Sequence, residues 1–145
     1  MASELVLFSV GYQGRSLPSL CELLVQNAVK LLIDIRERAW SNRPEFRKGA
    51  LRKGLEASGI SYSHLRVAGN PFRPRKGQEI ASSRCFELYK EYLAGSPEIV
   101  EEVLGTAKHS RIALFCYEAS ASDCHRGVLA AAIVGKHPEL EVIHL

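Results

Sequence analysis

The residues of this chain that are best suited to chemistry lie together in one short segment, residues 116–126. The segment holds two thiols, a carboxylate, an imidazole and a guanidinium group, in Cys116, Cys124, Glu118, His125 and Arg126. A thiol can act as a nucleophile, a carboxylate or imidazole can move a proton, and a guanidinium can bind an anion. The segment therefore predicts a functional site, and it indicates the position of that site better than its reaction.

The flanking sequence predicts that this segment is a turn between a strand and a helix. Residues 112–115 form a continuous apolar run, which is typical of a strand buried on both faces. The Ala-rich residues 127–134 predict a helix, with Ser120 or Ser122 as its N-cap and Asp123 close to its positive end. Ligands of parallel α/β proteins bind at such turns, beyond the carboxyl ends of strands.

The rest of the chain alternates between the same two patterns. Apolar runs predict further strands at residues 5–10, 30–35 and 140–143, and alternation predicts another at residues 60–65. Apolar residues at helical spacing predict helices between the strands. Almost uniformly apolar strands are typical of a parallel sheet that is covered on both faces. We therefore predict an α/β fold, a single three-layer domain over residues 1–145 with a mostly parallel sheet flanked by helices.

Three strand ends are expected to converge in such a fold, at residues 11–14, 34–38 and 116–126. Asp34 ends the second predicted strand, and Glu118 follows the strand at residues 112–115, so these two carboxylates are candidates for acid/base chemistry. An equally good interpretation is that they are ion partners that orient Arg36 and Arg126. Cys124, near a helix N-terminus, is the candidate reactive thiol. The candidate ligand-binding residues are Tyr12, Gly14, Arg15, Arg36, Arg43, His125 and Arg126.

Composition favours a soluble, cytoplasmic protein without a membrane partner. The 145 residues are 46% hydrophobic and 24% charged, no apolar run is long enough to span a membrane, and the N-terminus lacks the pattern of a signal peptide. The four cysteines are expected to be reduced thiols, because nothing resembles a small secreted disulfide scaffold. The sequence assigns no cofactor.

Positive charge is distributed unevenly along the chain. The formal net charge is only +3, but residues 36–53 hold seven Lys and Arg residues against Glu37 and Glu45. Further basic residues lie in a predicted loop at residues 68–77, among them Arg73, Arg75 and Lys76. This asymmetry indicates an anionic partner.

Four motifs, in order along nearly the whole chain, resemble the domain of unknown function 488 family. They are SVGYQGRS at residues 9–16, LIDIR at 32–36, RPEF at 43–46 and FCYEASASDCHR at 115–126. The family is defined without an assigned function, so the resemblance implies no activity. A fainter similarity to rhodanese-like domains rests on the Asp-x-Arg pattern and a later cysteine, but Glu118 lies two residues after Cys116, where its charge opposes a thiolate.

Several functions fit these observations. The first is an enzyme or binding protein for an anionic, phosphate- or nucleotide-like small molecule, with Arg36 and Arg126 holding the anion. The second is a nucleic-acid-binding module that uses the Arg-rich segment 36–53, with Trp40 and Phe46 available for stacking, together with the loop at residues 72–76. The third is rhodanese-like thiol chemistry at Cys116 or Cys124.

Helical geometry adds a prediction about the last three residues of the segment. Consecutive helical side chains differ in direction by about 100°, so Cys124, His125 and Arg126 are not expected to face one pocket unless the first helical turn is irregular. No metal site is expected at Cys116, Cys124 and His125, because adjacent residues rarely direct their ligand atoms at one ion and the sequence has no Cys-x-x-Cys or His pair. Arg126 is expected to point inward and to contact the carboxylate of Asp34 or Glu118, with Cys124 in a secondary position.

Overall fold

A sheet of five parallel strands forms the centre of the fold. The computed structural model describes residues 5–73 and 81–145. The strands are β1 (Val6–Gly11), β2 (Leu31–Asp34), β3 (Ser61–His64), β4 (Ile112–Cys116) and β5 (Glu141–His144). Their order across the sheet is β3-β2-β4-β1-β5, and each neighbouring pair is parallel. The predicted α/β fold with a parallel sheet is confirmed.

Helices cover both faces of this sheet, as predicted. They are α1 (Leu17–Gln26), α2 (Lys48–Ala57), α3 (Ser82–Ala94), α4 (Pro97–Ala107) and α5 (His125–Lys136), with short 3-10 helices at Pro44–Phe46, Arg66–Ala68 and Ala121–Asp123. Helices α1 and α2 pack on one face, and α3, α4 and α5 pack on the other. Within residues 5–73 and 81–145, no helix combines the length and apolarity that crossing a membrane requires.

The two faces of β4 show how the strand sequence divides between the layers. Successive side chains of a strand point to opposite faces of the sheet. Phe115 accordingly lies in the core beneath α1 and α2, whereas Leu114 and Cys116 lie in the core beneath α3, α4 and α5. The thiol at the end of the central strand therefore faces the start of α5.

The helix caps agree with the sequence at α1 and differ at α5. Ser16 caps α1, in a capping box with Ser19, which agrees with the preference for Ser at the start of a helix. The predicted capping of α5 by Ser120 or Ser122 is wrong, because residues 121–123 form a separate 3-10 turn that starts from Ser120. The chain is extended again at Cys124, which becomes the N-cap and whose Sγ accepts the Arg126 N–H at 3.5 Å. Helix α5 consequently begins at His125, before the predicted start at residue 127.

The predicted basic loop at residues 68–77 is described only in part. Residues 66–68 form a 3-10 turn, and residues 69–73 continue the loop as bends and turns. Arg75 and Lys76 lie outside the described residues, as does most of the segment 72–76. Helix α3 begins at Ser82.

Candidate functional site

The ends of β2, β4 and β1 meet at one edge of the sheet. The strands are neighbours, and hydrogen bonds continue beyond them: the Tyr12 N–H donates to the Cys116 carbonyl at 3.2 Å, and the Ile35 N–H donates to the Phe115 carbonyl at 3.0 Å. The predicted convergence of the three strand ends is therefore observed.

Close contact between two of these strand ends depends on Gly11. A Cβ atom added at this residue would lie 1.8 Å from the carbonyl oxygen of Glu118, far inside van der Waals contact. The turn after β4 can therefore lie directly against the end of β1 only because Gly11 has no side chain.

Asp34 and Arg36 form a buried ion pair beside this edge. The Arg36 guanidinium contacts Asp34 in a bidentate geometry, with Nε 2.9 Å from Oδ1 and Nη2 2.7 Å from Oδ2. The Arg36 N–H and the Tyr62 hydroxyl also donate to this carboxylate, so Asp34 accepts four hydrogen bonds and is fully buried. The Arg36 guanidinium also donates hydrogen bonds to the carbonyls of Trp40 and Phe46.

The pKa values in this network reflect burial and the Asp34 charge. Burial would lower the pKa of Arg36, but the hydrogen bonds and charge of Asp34 raise it above its ordinary value. Burial, and then the negative charge of Asp34, raise the pKa of Tyr62. Arg36 is therefore a permanent cation, and Tyr62 donates its proton to Asp34 throughout the physiological range.

Arg126 points inward, as predicted, but its partners differ from the prediction. Its Nη1 lies 2.5 Å from the Glu118 carbonyl and 3.2 Å from Cys116 Sγ, its Nη2 donates to the Ala119 carbonyl, and its Nε donates to Ser9 Oγ. The predicted carboxylate contact is wrong: among the described residues Arg126 bonds neither the Asp34 nor the Glu118 carboxylate. The turn after β4 presents its backbone carbonyls to α5, and these acceptors hold the guanidinium instead.

The two cysteines of the segment are paired. The sulfur atoms of Cys116 and Cys124 form a disulfide, whereas Cys21 and Cys85 are buried free thiols. The expectation of reduced thiols is therefore wrong for Cys116 and Cys124. The sequence did not indicate the pairing, because it arises where a strand end and a helix cap face each other.

His125 also approaches this pair, against the expectation from helical geometry. Its Nδ1 lies 3.7 Å from Cys124 Sγ, and its Nε2 lies 2.8 Å from the Ile35 carbonyl. The atoms of Cys116, Cys124 and His125 that could bind a metal, namely the two Sγ atoms and a ring nitrogen, all lie within 4.8 Å of one another. Cys124 has an extended backbone and precedes the helix, so the rotation of about 100° between consecutive helical side chains does not separate it from His125. The expectation that these two side chains diverge is therefore wrong.

The imidazole of His125 is neutral at physiological pH. Burial lowers its pKa to about 4, and the cations of Arg73 and Arg126 act in the same direction. The Ile35 carbonyl can only accept a hydrogen bond, so the proton of the neutral ring is on Nε2 and the lone pair of Nδ1 faces Cys124.

A polar cavity opens beside the ion pair, beyond the carboxyl ends of the strands. Its volume is about 700 Å³, and we call it the arginine cavity. The residues that line it are Tyr12, Arg36, Glu37, Arg38, Trp40, Ser41, Asn42, Arg43, Asn70, Pro71, Arg73 and Tyr117.

The four arginines of this cavity differ in their availability. Arg36 is engaged by protein acceptors, and Arg43 pairs with Glu45 at 3.0 Å while also donating to the Tyr12 carbonyl. Arg73 is half exposed and reaches the Glu118 carboxylate at 3.4 Å. Arg38 is exposed and has no hydrogen-bond or salt-bridge partner within residues 5–73 and 81–145.

The structure places only some of the predicted site residues at this cavity. Tyr12, Arg36 and Arg43 line it. Gly14 lies in the exposed turn after β1, where its φ is +76°, and Arg15 donates to the Gly11 carbonyl. The predicted residues that do not line the arginine cavity are Asp34, Glu118, Cys124, His125 and Arg126, together with Gly14 and Arg15.

Sequence reasoning missed two clear members of the cavity. Tyr117 comes directly after β4 and is 40% exposed, but strand alternation did not single it out, because both faces of β4 are buried. Asn70 precedes Pro71 and its Oδ1 accepts the Phe72 N–H, which is the usual role of Asn in a turn. The sequence could have predicted that Asn70 lies in a turn, but it could not have predicted that this turn lies beside the strand ends.

Comparison with protein families gives one match. The model of the DUF488 family, described as a domain of unknown function, matches residues 16–133. Searches of the curated proteins and of the solved structures found no significant match, so nothing supports the fainter rhodanese-like similarity.

Proposed function

The chain belongs to the DUF488 family, and on this premise we propose that it binds a small anionic ligand of phosphate- or nucleotide-like chemistry in the arginine cavity. The observation that carries the proposal is the charge of that cavity, which is lined by four arginines and by one acidic residue, Glu37. A volume of about 700 Å³ is within the usual range of small-molecule sites. Guanidinium groups suit bidentate contact with phosphate or carboxylate oxygens.

The aromatic residues of the cavity favour a ligand that also has a planar ring. Trp40 and Tyr117 are 49% and 40% exposed, which is unusual for side chains of their size. Arg47 lies over the Trp40 ring, 4.9 Å from its centroid, and restrains the orientation of the indole. Both rings therefore offer a face or edge to a base or another flat group.

The contacts support separate roles for the arginines. Arg36 positions the cavity wall, because its guanidinium is already bound to Asp34 and to two carbonyls. Arg38 and Arg73 are the proposed anion-binding residues, since they are the most exposed of the set. For a reaction at this site Glu118 is a better-placed proton acceptor than Asp34, because its carboxylate contacts Arg73 and is partly exposed, whereas Asp34 already accepts four hydrogen bonds.

Thermal shift against a panel of nucleoside mono-, di- and triphosphates, sugar phosphates and inorganic phosphate tests this proposal. A ligand at about a hundred times its Kd stabilises a protein by about 2.7 kcal/mol, which corresponds to about 8 °C for a chain of this size. We expect at least one nucleotide to raise the Tm of the wild type, and an Arg38→Ala, Arg73→Ala double variant to lose that shift.

A matched control removes the same charge elsewhere. Arg84 and Lys108 are exposed and do not line the arginine cavity, so an Arg84→Ala, Lys108→Ala double variant should keep the full ligand-induced shift. Equal shifts in all three proteins, or no shift with any compound, would show that the arginine cavity does not bind such anions.

A second candidate ligand is single-stranded nucleic acid, favoured by the exposed Trp40 and by the basic face of α2 beside it. Arg47, Lys48 and Lys53 are exposed there. Phe46 is fully buried and cannot stack on a base. Binding to oligonucleotides should weaken steeply with salt and should be lost in Trp40→Ala; binding that is absent at low salt would exclude this candidate.

A further inference from the structure

The disulfide between Cys116 and Cys124 does not line the arginine cavity and has no role in the proposed binding of an anion there. Cys116 ends β4 on the face toward α5, and Cys124 caps α5 eight residues later. We propose that these two cysteines are a reversible dithiol–disulfide centre, in which a low-molecular-weight thiol attacks Cys124 and Cys116 leaves as a thiolate beside Arg126. This inference is independent of the proposed function.

The surroundings of Cys116 favour the leaving thiolate. Arg126 is fully buried, and its Nη1 lies 3.2 Å from Cys116 Sγ. Burial lowers the pKa of Arg126 only to about 10, so the guanidinium is charged at neutral pH. Its other hydrogen bonds among the described residues are to neutral groups, namely Ser9 Oγ and the carbonyls of Glu118 and Ala119. The charge of the nearby Glu118 carboxylate raises the pKa of Arg126 by less than burial lowers it. A thiolate at Cys116 supplies this buried cation with a counter-charge that the disulfide does not.

One acidic group opposes this effect. The Glu118 carboxylate lies 3.6 Å from Cys116 Sγ. It is 23% exposed and shares its charge with Arg73, at 3.4 Å. Arg126 is closer to the sulfur and fully buried, where charges are screened less by water. The guanidinium therefore dominates the electrostatics at Cys116.

Cys124 is only 2% exposed, so an external thiol can reach its sulfur only through a cavity that this residue lines. A second cavity, of about 620 Å³ and mostly apolar, is lined by Cys124, Gly127, Val128, Ala132 and Lys90 among others, and Cys116 does not line it. Lys90 is exposed and is the one charged side chain among the described lining residues at neutral pH, because burial and the charge of Arg126 lower the pKa of His144. A small thiol that carries a carboxylate, such as glutathione, matches this combination of an apolar wall and one ammonium group.

The proposed reaction balances with small thiols as the only co-reactants. The thiolate of the small molecule attacks Cys124 Sγ, a mixed disulfide forms, the Cys116–Cys124 bond breaks, and its electron pair leaves on Cys116 as a thiolate. A second small thiolate attacks the sulfur of the small molecule in the mixed disulfide, which releases Cys124 as a thiolate, and this thiolate takes a proton from water to become the Cys124 thiol. Two small thiols are oxidised to their disulfide and the protein is reduced by two electrons. His125 Nδ1, 3.7 Å from Cys124 Sγ, then accepts a hydrogen bond from the Cys124 thiol.

Equilibration of the full-length protein with reduced and oxidised glutathione, followed by alkylation and intact mass measurement, tests the proposal. We expect two thiols to titrate together and peptide mapping to identify them as Cys116 and Cys124. Cys21 and Cys85 act as internal controls, because both are buried free thiols with no cysteine partner and should not change with the glutathione ratio. A protein that forms no disulfide at any ratio would overturn the proposal. So would a reduced protein that is isolated with one equivalent of zinc and is protected by it from oxidation.

Two further variants test the direction of attack. In Cys116→Ser the mixed disulfide with glutathione should accumulate on Cys124, whereas in Cys124→Ser Cys116 should remain largely unmodified. Equal modification of the two variants, or the reverse pattern, contradicts entry from the second cavity. This comparison does not depend on any change to Arg126.

The proposed stabilisation of the Cys116 thiolate by Arg126 is tested by removing the charge of this side chain. In Arg126→Gln the ratio of reduced to oxidised glutathione needed for half reduction should rise by about tenfold or more, as expected for loss of one charge-assisted hydrogen bond. Arg126→Lys keeps the charge and should stay much closer to the wild type. An unchanged ratio in a folded Arg126→Gln protein would refute stabilisation of the thiolate by this residue. If Arg126→Gln does not fold, the comparison of the two serine variants decides the proposal.

Discussion

Replacement of Asp34 by Asn should destabilise the fold strongly, because it leaves a buried arginine without its counter-charge. Asn has nearly the same shape as Asp, so packing is preserved and the charge is the main difference. Arg36 is 4% exposed and Asp34 is fully buried, and removing one partner of such a pair costs about 3–5 kcal/mol. The amide nitrogen of Asn would also face a donor, either the Arg36 guanidinium or the Tyr62 hydroxyl. We therefore expect Asp34→Asn to lower the free energy of unfolding by about 3–5 kcal/mol.

Tyr62→Phe provides the matched comparison within the same network. It removes one hydrogen bond to the carboxylate, 2.6 Å long, and leaves the ion pair intact, so its cost should be about 1.5–3 kcal/mol. Urea unfolding at neutral pH, with the midpoint and slope fitted for each variant, measures both values. A loss below about 1 kcal/mol for Asp34→Asn, or one smaller than that of Tyr62→Phe, would show that Asp34 does not act chiefly as the structural partner of Arg36.

Two other changes test separate features of the fold. Gly11→Ala places a Cβ atom 1.8 Å from the Glu118 carbonyl and should cost about 2 kcal/mol or more in urea unfolding, whereas Gly105→Ala, in α4 with nothing within 4 Å, should be neutral or stabilising by up to about 1 kcal/mol; equal effects would contradict the close contact. The pKa of His125 is about 4 in the folded protein against an ordinary 6.5, so the unfolded chain binds a proton first and stability should fall by about 3 kcal/mol between pH 6.5 and pH 4. Unfolding measured across that range should lose most of this slope in His125→Gln, and an unchanged slope would assign it to other groups.

The fold was predictable because its strands follow simple patterns. Strands β1, β2 and β4 are buried on both faces, so apolar runs such as residues 112–115 mark them directly, whereas the edge strand β3 alternates between exposed and buried residues. The predicted strand boundaries differ from the observed ones by about a residue. Ser16 likewise marks the start of α1 through a local hydrogen bond to Ser19. The boundary was less accurate where the chain forms a 3-10 turn at residues 121–123, because this turn carries no apolar periodicity.

The candidate site was predictable where its contacts are local. Asp34 and Arg36 are two residues apart at a strand end, where both side chains point to the same face, so their pairing follows from sequence position and charge. The walls of the arginine cavity come from several separate segments, including residues 36–43, 70–73 and 117. Which side chains of these segments meet depends on the path of each loop, and loop paths are not encoded in hydrophobic periodicity.

The position of the cysteine pair depends on a chain of contacts that starts from Gly11. Because this residue has no side chain, the turn after β4 can lie against β1 and direct the carbonyls of Glu118 and Ala119 toward α5. Arg126 in the first turn of α5 binds those carbonyls, which brings the start of the helix onto the end of β4. Cys124 precedes the first helical residue, so its extended backbone directs Sγ toward Cys116 instead of following the helical step. The residue that caps a helix can therefore share a site with residues inside its first turn, and helical periodicity should be applied only after the cap has been located.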